Sequence, residues 1–442
     1  MPLNERPMST AVRPSACPGL LRIVPALDGG ICRIKLTGGS ISSAQADAVA
    51  RAAEDFASGA IEATNRANLQ IRGIGAEQAA LIERLLAAGL GPHHAAGDDV
   101  RNLMLSPSAG IDRHMLFDTR ALAEQILATV QRHEPFHDLS PKFALQLDGG
   151  EALAMLEHPN DLWLSAYGQA GECRLAFGLA GCPTDVPAGS VALDAGHDLV
   201  VAVLELFLEL ARPEQTRMRH VLAEMPAATF VARLAERVTL QPVTGWQRPV
   251  HETGLHMGAH AQSQAQHVYV GGVPPLGRLD GAMLRGAAQL ACEYGDATLR
   301  FTPWQSLLLP NVPREHADEV LRRLQQLGLL CDADQALSQL IACTGSTGCG
   351  RGLADTKGDA RQLAALLQRH GDALKVHLSG CPRSCAAAHI APVTLLAVTP
   401  GHYDLYFREA GQPGFGALHA RNLTIEAVDA LLAARSRSPL DA

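Results

Sequence analysis

The stretch Leu81-Ile-Glu-Arg-Leu-Leu-Ala-Ala-Gly-Leu90 returns far along the chain as Val320-Leu-Arg-Arg-Leu-Gln-Gln-Leu-Gly-Leu329. The match extends upstream. Thr64 to Ile74 (TNRANLQIRGI) lines up with Thr302 to Val312 (TPWQSLLLPNV), an offset of 238, and Ile41 to Phe56 matches Leu279 to Tyr294 in its spacing of small and apolar positions. A repeat this long is too large for a solenoid unit and reads as a duplicated domain. Each copy predicts a strand (31–36, or 267–270), a small-residue helix (about 42–57, or 280–293), further strands (61–64 and 68–72 in the first copy) and a closing amphipathic helix. In that last helix Leu81, Leu85 and Leu86 share a face while Glu83 and Arg84 lie outside it. The order β-α-β-β-α is half of a ferredoxin-like arrangement. Two such halves sharing one sheet about a pseudo-twofold axis would place a site where they meet.

The segments after the copies also correspond. Strand-like 101–105, a helix near 119–132 and a strand at 142–147 match a strand at 340–343, a helix near 359–369 and a strand at 374–378. Hairpins are expected at 161–180 and 393–407, and helices near 197–211 and 227–238. The predicted class is α+β: a tail (1–16), a ferredoxin-like half-domain (17–92), an α/β domain (93–240), a connection (241–266), a second half-domain (267–332) and a second α/β domain (333–442).

Composition removes several function classes. The 442 residues are 47% hydrophobic and 19% charged, which is globular and not disordered. With 37 basic against 45 acidic residues the net charge is −8, unsuited to general nucleic-acid binding, which needs clustered Lys and Arg. No apolar run reaches the roughly 18 residues of a membrane span, and Met1 to Ala16 has no secretory-type apolar core. The expectation is a cytoplasmic protein with neither nucleic-acid nor membrane partners.

Ten cysteines are too sparse for a disulfide scaffold. Four of them stand in the turns after the two strands of the second α/β copy, as Cys343-x5-Cys349 and Cys381-x3-Cys385. The first copy has Ser-Pro-Ser-Ala-Gly and Asp-Gly-Gly at those places. Thiolates favour zinc or iron–sulfur clusters. Structural zinc pairs are usually spaced by two to four residues, which suits the second pair and not the first. The wider Gly-rich loop around Thr344, Gly345, Ser346, Gly348 and Gly350 suits a [4Fe–4S] cluster, with backbone N–H groups free to approach sulfur.

Cys-x5-Cys…Cys-x3-Cys in the second of two fused repeats resembles the sulfite/nitrite reductase superfamily. The resemblance runs from about Cys17 to beyond Cys385. It implies that Cys343, Cys349, Cys381 and Cys385 bind the cluster. It also implies that Thr64-Asn65-Arg66 with Gln70 faces a tetrapyrrole, that Arg101-Asn102 corresponds to the family's Arg-Asn pair with Arg101 facing the tetrapyrrole, and that Pro141-Lys142-Phe143 corresponds to the Lys-Phe-Lys element handling an anionic substrate. Thr216-Arg217-Met218-Arg219 resembles a further basic element of the superfamily, or is a solvated helix start. Two positions depart from the pattern: Ala144 replaces the second lysine of the Lys-Phe-Lys element, and Ala67 replaces a glutamine. Fewer cations weaken stabilisation of developing oxyanions.

Val273 to Asp280 (VPPLGRLD) and Leu299 to Pro310 (LRFTPWQSLLLP) are similar to the precorrin-3B synthases within this superfamily. That resemblance implies hydroxylation of precorrin-3A at C20 by O2 with γ-lactone formation, in aerobic cobalamin synthesis. The alternatives are a sirohaem- and [4Fe–4S]-dependent sulfite or nitrite reductase, or a non-catalytic tetrapyrrole or electron carrier. A carboxylate-rich macrocycle suits a cleft lined by Arg66, Arg72, Arg101, Lys142, Arg300 and Arg383, with Asn65, Gln70 and Gln305 as further contacts. O2 chemistry needs a cofactor, and the resemblance implies a mononuclear non-haem iron. Among the histidines, His256-x3-His260 has ligand spacing, although a Gly/Gln/His linker is commonly polar loop. No Gly-x-Gly-x-x-Gly follows a predicted strand, so NADH-derived electrons are expected through a partner reductase or ferredoxin.

Overall fold

The computed structural model describes residues 17–92, 95–169, 171–370, 374–387, 391–409, 412 and 414–437; the expected tail, 1–16, lies outside the described residues. The described residues form four five-stranded sheets.

The first sheet has the order β1 (Val24–Ala26), β2 (Gly29–Ile34), β5 (Leu69–Ile74), β4 (Ile61–Ala63) and β13 (Arg278–Leu279). The second has the order β11 (Gly258–Ala261), β12 (His267–Gly272), β15 (Leu307–Pro313), β14 (Thr298–Phe301) and β3 (Ser40–Ser42). The halves therefore do not merge into one shared sheet, as the repeat suggested. Each keeps its own sheet and lends one strand to the other: β13 pairs with β4, and β3 with β14, both antiparallel. The borrowed strands are themselves repeat mates, since Ser40 plus 238 is Arg278. Gly258–Ala261 also joins the second half-domain's sheet, and so does not belong to a plain connection.

The repeat is kept in backbone detail. Left-handed φ recurs at Gly38/Leu276 (58° and 55°), Gly39/Gly277 (72° and 71°), Gly59/Ala297 (80° and 61°), Ala67/Gln305 (57° and 60°) and Gly73/Asn311 (72° and 60°). Each pair is separated by 238. At Gly39 the glycine is obligatory: a Cβ would stand 2.1 Å from the Phe301 carbonyl oxygen, where β3 crosses to the other half.

Helices α1 (Ser43–Phe56) and α7 (Gly281–Tyr294) are also repeat mates and pack on each other. The first begins with a reciprocal capping box: Gln45 N donates to Ser42 Oγ at 3.2 Å, and Ser42 N to Gln45 Oε1 at 3.1 Å. The second begins with Asp280, whose carboxylate accepts from Met283 N at 2.8 Å. Their buried faces are small, Ala46, Val49, Ala50 and Ala53 against Leu284, Ala287, Ala288 and Ala291, so the axes come close. With α2 (Gln78–Ala87) and α8 (Ala317–Gln326) they cover both sheets, and one hydrophobic core runs through both half-domains.

The α/β units share a topology. In the first, β6 (Leu103–Leu105), β7 (Leu145–Asp148) and β8 (Asn160–Gln169) are parallel, and β9 (Glu172–Gly181) and β10 (Gly189–Ala192) follow antiparallel. In the second, β16 (Leu340–Ala342), β17 (Val376–Ser379) and β18 (Val393–Thr399) are parallel, followed by antiparallel β19 (His402–Phe407) and β20 (Ala417–Leu423). Crossover helices α3 (Arg120–Arg132) and α9 (Thr356–His370) join the first two strands of each unit. Helices α4 (Gly196–Leu210), α5 (Met218–Leu222) and α6 (Ala227–Leu234) close the first core, and α10 (Ile425–Arg437) the second. No helix among the described residues is long and apolar enough to cross a membrane.

Candidate functional site

The four paired cysteines stand on two loops at the C-terminal ends of β16 and β17. Gly380 N donates to Cys343 Sγ at 3.2 Å, and a Cβ at Gly380 would stand 3.4 Å from that sulfur. Gly345, with φ 70°, turns the first loop where a Cβ would meet the Ala354 carbonyl oxygen at 2.5 Å. Cys349 N donates to the Gly345 carbonyl at 2.9 Å, and Thr356 Oγ1 to that of Cys343 at 2.7 Å. The Cys385 thiol is pushed up by desolvation and by the charges of Cys381, Cys343 and Cys349, against a smaller opposing effect from Arg383. Four cysteines on two facing loops, backed by bare glycine backbone, fit a cationic iron–sulfur core. Among the described residues no three of His, Cys, Asp or Glu could hold a single metal ion. A cluster's cysteines bind separate irons and need no such convergence.

The half-domains grip these loops. Arg72 forks onto Asp28 at 2.9 Å through both Nε and Nη2, and Nη2 also donates to the Gly348 carbonyl at 3.1 Å. Glu62 accepts from Arg278 at 2.6 Å and from Thr344 Oγ1 at 3.3 Å, with Lys357 Nζ at 3.7 Å. Burial would raise its carboxyl, but Lys357, Arg278 and Arg72 together hold it below the ordinary value. The guanidinium of Arg72 is thus used inside the protein, tying β5 to the cysteine loop.

The expected tetrapyrrole-facing turn is built by Thr64. Ala67 N donates to the Thr64 carbonyl at 3.0 Å, and Thr64 Oγ1 accepts from Asn68 N at 3.1 Å. Its repeat mate, Thr302, makes the corresponding turn, with Gln305 N on its carbonyl at 3.0 Å. Both turns reach the second cysteine pair: Asn65 Nδ2 donates to the Cys385 carbonyl at 3.3 Å, and Gln305 Nε2 to that of Ala386 at 3.0 Å.

Beside them lies a concentration of cations. Desolvation, then Arg217 and Arg33, push Arg66 down to about 10. No carboxylate of the described residues stands within ion-pairing distance of Arg66. The amide oxygen of Gln70 accepts from Arg33 Nη2 and Nε at 2.8 and 3.1 Å. Arg217 pairs with the buried Asp161, whose carboxylate also accepts from Met218 N and from Ala144 N at 2.8 Å. Arg101 contacts Asp98 at 3.2 Å, and Asn102 Nδ2 holds the Pro141 carbonyl at 2.9 Å beside exposed Lys142. Arg383 is exposed next to the second cysteine pair. Arg300 lies elsewhere, donating to the Pro107 and Ala109 carbonyls at 3.0 and 2.8 Å.

Arg33 and Lys35 were not singled out from the sequence, yet the signal was there. Cys32 and Ile34 enter the core at 0% exposure, so the alternating arginine and lysine must face the other way. Burial pushes Lys35 down to about 7. The histidine expectation needs correction. His256 lies flat on Trp304, with ring centroids 5.3 Å apart, and His260 Nε2 is 2.5 Å from the Met257 carbonyl oxygen. His260 sits in strand β11, not on a helix where four-residue spacing aligns two side chains, so the pair does not assemble a non-haem iron site.

The nitrite/sulfite reductase ferredoxin-like half domain matches residues 25–89 and 260–327, and the nitrite and sulphite reductase 4Fe-4S domain matches 96–241. The second match falls on the unit without the cysteine pairs, which shares its strand order with the unit that has them. The chain is 30% identical over 390 residues to the chloroplastic ferredoxin–nitrite reductase of Zea mays, covering 82% of this chain and 68% of that enzyme. It is 26% identical over 394 residues to precorrin-3B synthase of a Sinorhizobium species, covering 89% and 82%. The structure of the Mycobacterium tuberculosis NirA protein superposes with a TM-score of 0.78 at 22% identity, over 93% of this chain and 82% of that one. The chain belongs to the nitrite/sulfite reductase family, a family of duplicated oxidoreductases. That membership supports an iron–sulfur cluster in this chain.

Proposed function

We propose that this family member is an oxygenase of the precorrin-3B synthase type. It would take precorrin-3A, O2 and reducing equivalents to the C20-hydroxylated γ-lactone, with Cys343, Cys349, Cys381 and Cys385 holding a [4Fe–4S] cluster that supplies single electrons. Ala144 carries this reading. Where sirohaem reductases are expected to place a substrate-holding lysine, the side chain is a methyl at 0% exposure, and the neighbouring Asp161 neutralises Arg217. A small oxyanion undergoing reduction needs concentrated positive charge. A macrocycle with many carboxylates needs cations spread along an edge, which Arg33, Arg66 and Lys142 supply.

Electrons would come from NADH through a ferredoxin or reductase partner. His256 and His260 do not hold the iron that the resemblance implies, so no step is assigned to them. The test is anaerobic incubation with precorrin-3A followed by O2 and reductant. Gain of one oxygen atom in the product supports the oxygenase. The identity to plant nitrite reductase favours a second reading, a sirohaem-dependent reductase. Stoichiometric sirohaem with ammonia or sulfide formation would establish that reading and overturn the first.

A further inference from the structure

The duplication provides an internal control for charge placement. Beside the cysteine loops, Glu62 of the first half-domain sits between Arg278 and Lys357 and closes an internal ion-pair network. At the offset of 238 Glu62 corresponds to Arg300 and Arg278 to Ser40, and at the offset of 237 that relates β6 to β16, Lys357 corresponds to Arg120. The carboxylate has become an arginine, and the lysine remains a cation. Desolvation takes Arg300 down to about 10, opposed by the charge of Asp296 and reinforced by the like charge of Arg120.

Neither arginine is swept into a replacement network of the same kind. Arg300 is only 8% exposed, and its Nη1 donates to two neutral carbonyls, those of Pro107 and Ala109. The nearby Asp296 is occupied, accepting from Thr298 N and Oγ1 on one oxygen and from Asn311 Nδ2 on the other. Arg120 pairs with exposed Asp118 at 2.6 Å and presses its guanidinium on Gly110. The two arginines thus grip the Ser106–Asp112 loop, the counterpart of the first cysteine loop.

Between them opens a cavity of about 420 Å³, where Lys35 and Arg101 join Arg120 and Arg300 to make four cations against the two carboxylates Glu124 and Asp296. That size is in the range of small-molecule sites. Arg101 pairs with Asp98 through Nη2 at 3.2 Å, but its buried Nε has no hydrogen-bond partner. A buried donor left without an acceptor is costly.

We propose that this cavity binds an anion bearing carboxylate or phosphate oxygens, held by Arg300, Arg120 and Arg101. The ligand supplies the negative charge that Glu62 supplies in the other half. The inference stands apart from the oxygenase reading, because it needs no turnover. Two sources share this chemistry: a free small-molecule anion, or a carboxylate arm of a tetrapyrrole seated against Arg33, two residues before Lys35 at the end of β2.

Calorimetric titration of the cluster-loaded full chain with inorganic phosphate and with citrate, at matched ionic strength, tests it. Saturable binding of at least one probe is expected, weakened about tenfold or more by Arg300→Glu, whose carboxylate would pair with Arg120. Arg120→Gln gives a second reading should Arg300→Glu fail to fold. Displacement of the probe by a polycarboxylated tetrapyrrole identifies a macrocycle arm as the occupant; joint binding identifies a separate small anion. Absence of saturable binding of both probes overturns the proposal, and so does unchanged affinity in the folded variants.

Discussion

Asn65 and Gln305, from opposite half-domains, hold the carbonyls of consecutive residues: Asn65 that of Cys385 and Gln305 that of Ala386. The two corresponding turns of the duplication, 64–67 and 302–305, thus meet at the last cysteine, although the cysteines themselves belong to one copy only. The symmetric frame positions an asymmetric site.

Removing one of these grips should loosen that loop. In Gln305→Ala the buried Ala386 carbonyl loses its donor, at a cost of about 1–3 kcal/mol. The left-handed φ of 60° is kept, so the turn itself is retained. Iron release to a ferrous chelator should be faster than in the parent; an unchanged rate would show that the bond does not support the loop.

Arg72→Lys separates the two roles open to that residue. Lysine keeps the charge but cannot fork onto Asp28 while also reaching the Gly348 carbonyl. Iron and acid-labile sulfide content should fall, with tetrapyrrole affinity per intact cluster unchanged. Reduced affinity with full cluster content would return Arg72 to the substrate.

Lys35 should leave a mark on the pH dependence of stability. Its folded value is pushed down to about 7, whereas an unfolded lysine titrates near 10.4. Between these values the unfolded chain binds the extra proton, so stability rises with pH; below about 7 the destabilisation is fully present. Lys35→Met should flatten that rise by up to about 1.4 kcal/mol per pH unit, read from urea unfolding between pH 7 and 9. Parallel parent and variant profiles would contradict the assignment.

Asp161→Ala should be among the more damaging single changes outside the cores. The carboxylate serves Arg217, Met218 N and Ala144 N together and is 1% exposed. Its loss strands a partly buried arginine beside Arg66, and about 3–5 kcal/mol is expected. Denaturant midpoints of this variant and of Arg217→Met would check it, the latter alone leaving a buried carboxylate unpaired.

The elements were legible because they carry strong local signals. Helix α1 has its capping box and small face, and β2 its alternation. The cysteine loops announced themselves by residue type and spacing. What escaped were features that depend on partners far along the chain. Arg278–Leu279 is too short to show any period, and its partner in β4 is more than 200 residues away. Arg72 reads as one more cation until Asp28 is beside it. The His256–His260 spacing misled because His260 lies in the extended β11 and, among the described residues, no third His, Cys, Asp or Glu joins the pair in a metal-holding group. Arg300 was grouped with Arg66 on charge alone, and only the fold separates them.

The exchange of β3 and β13 bears on how such a chain could acquire two unlike halves. An assembly of two identical subunits trading one strand each has this same arrangement, but it must show every side chain twice, once on each side of its axis. Joining the subunits into one polypeptide lifts that obligation. A cysteine pair can then be lost on one side, and a glutamate can become an arginine there, without the other side following. The reciprocal strands keep the partners inseparable while their chemistries drift apart.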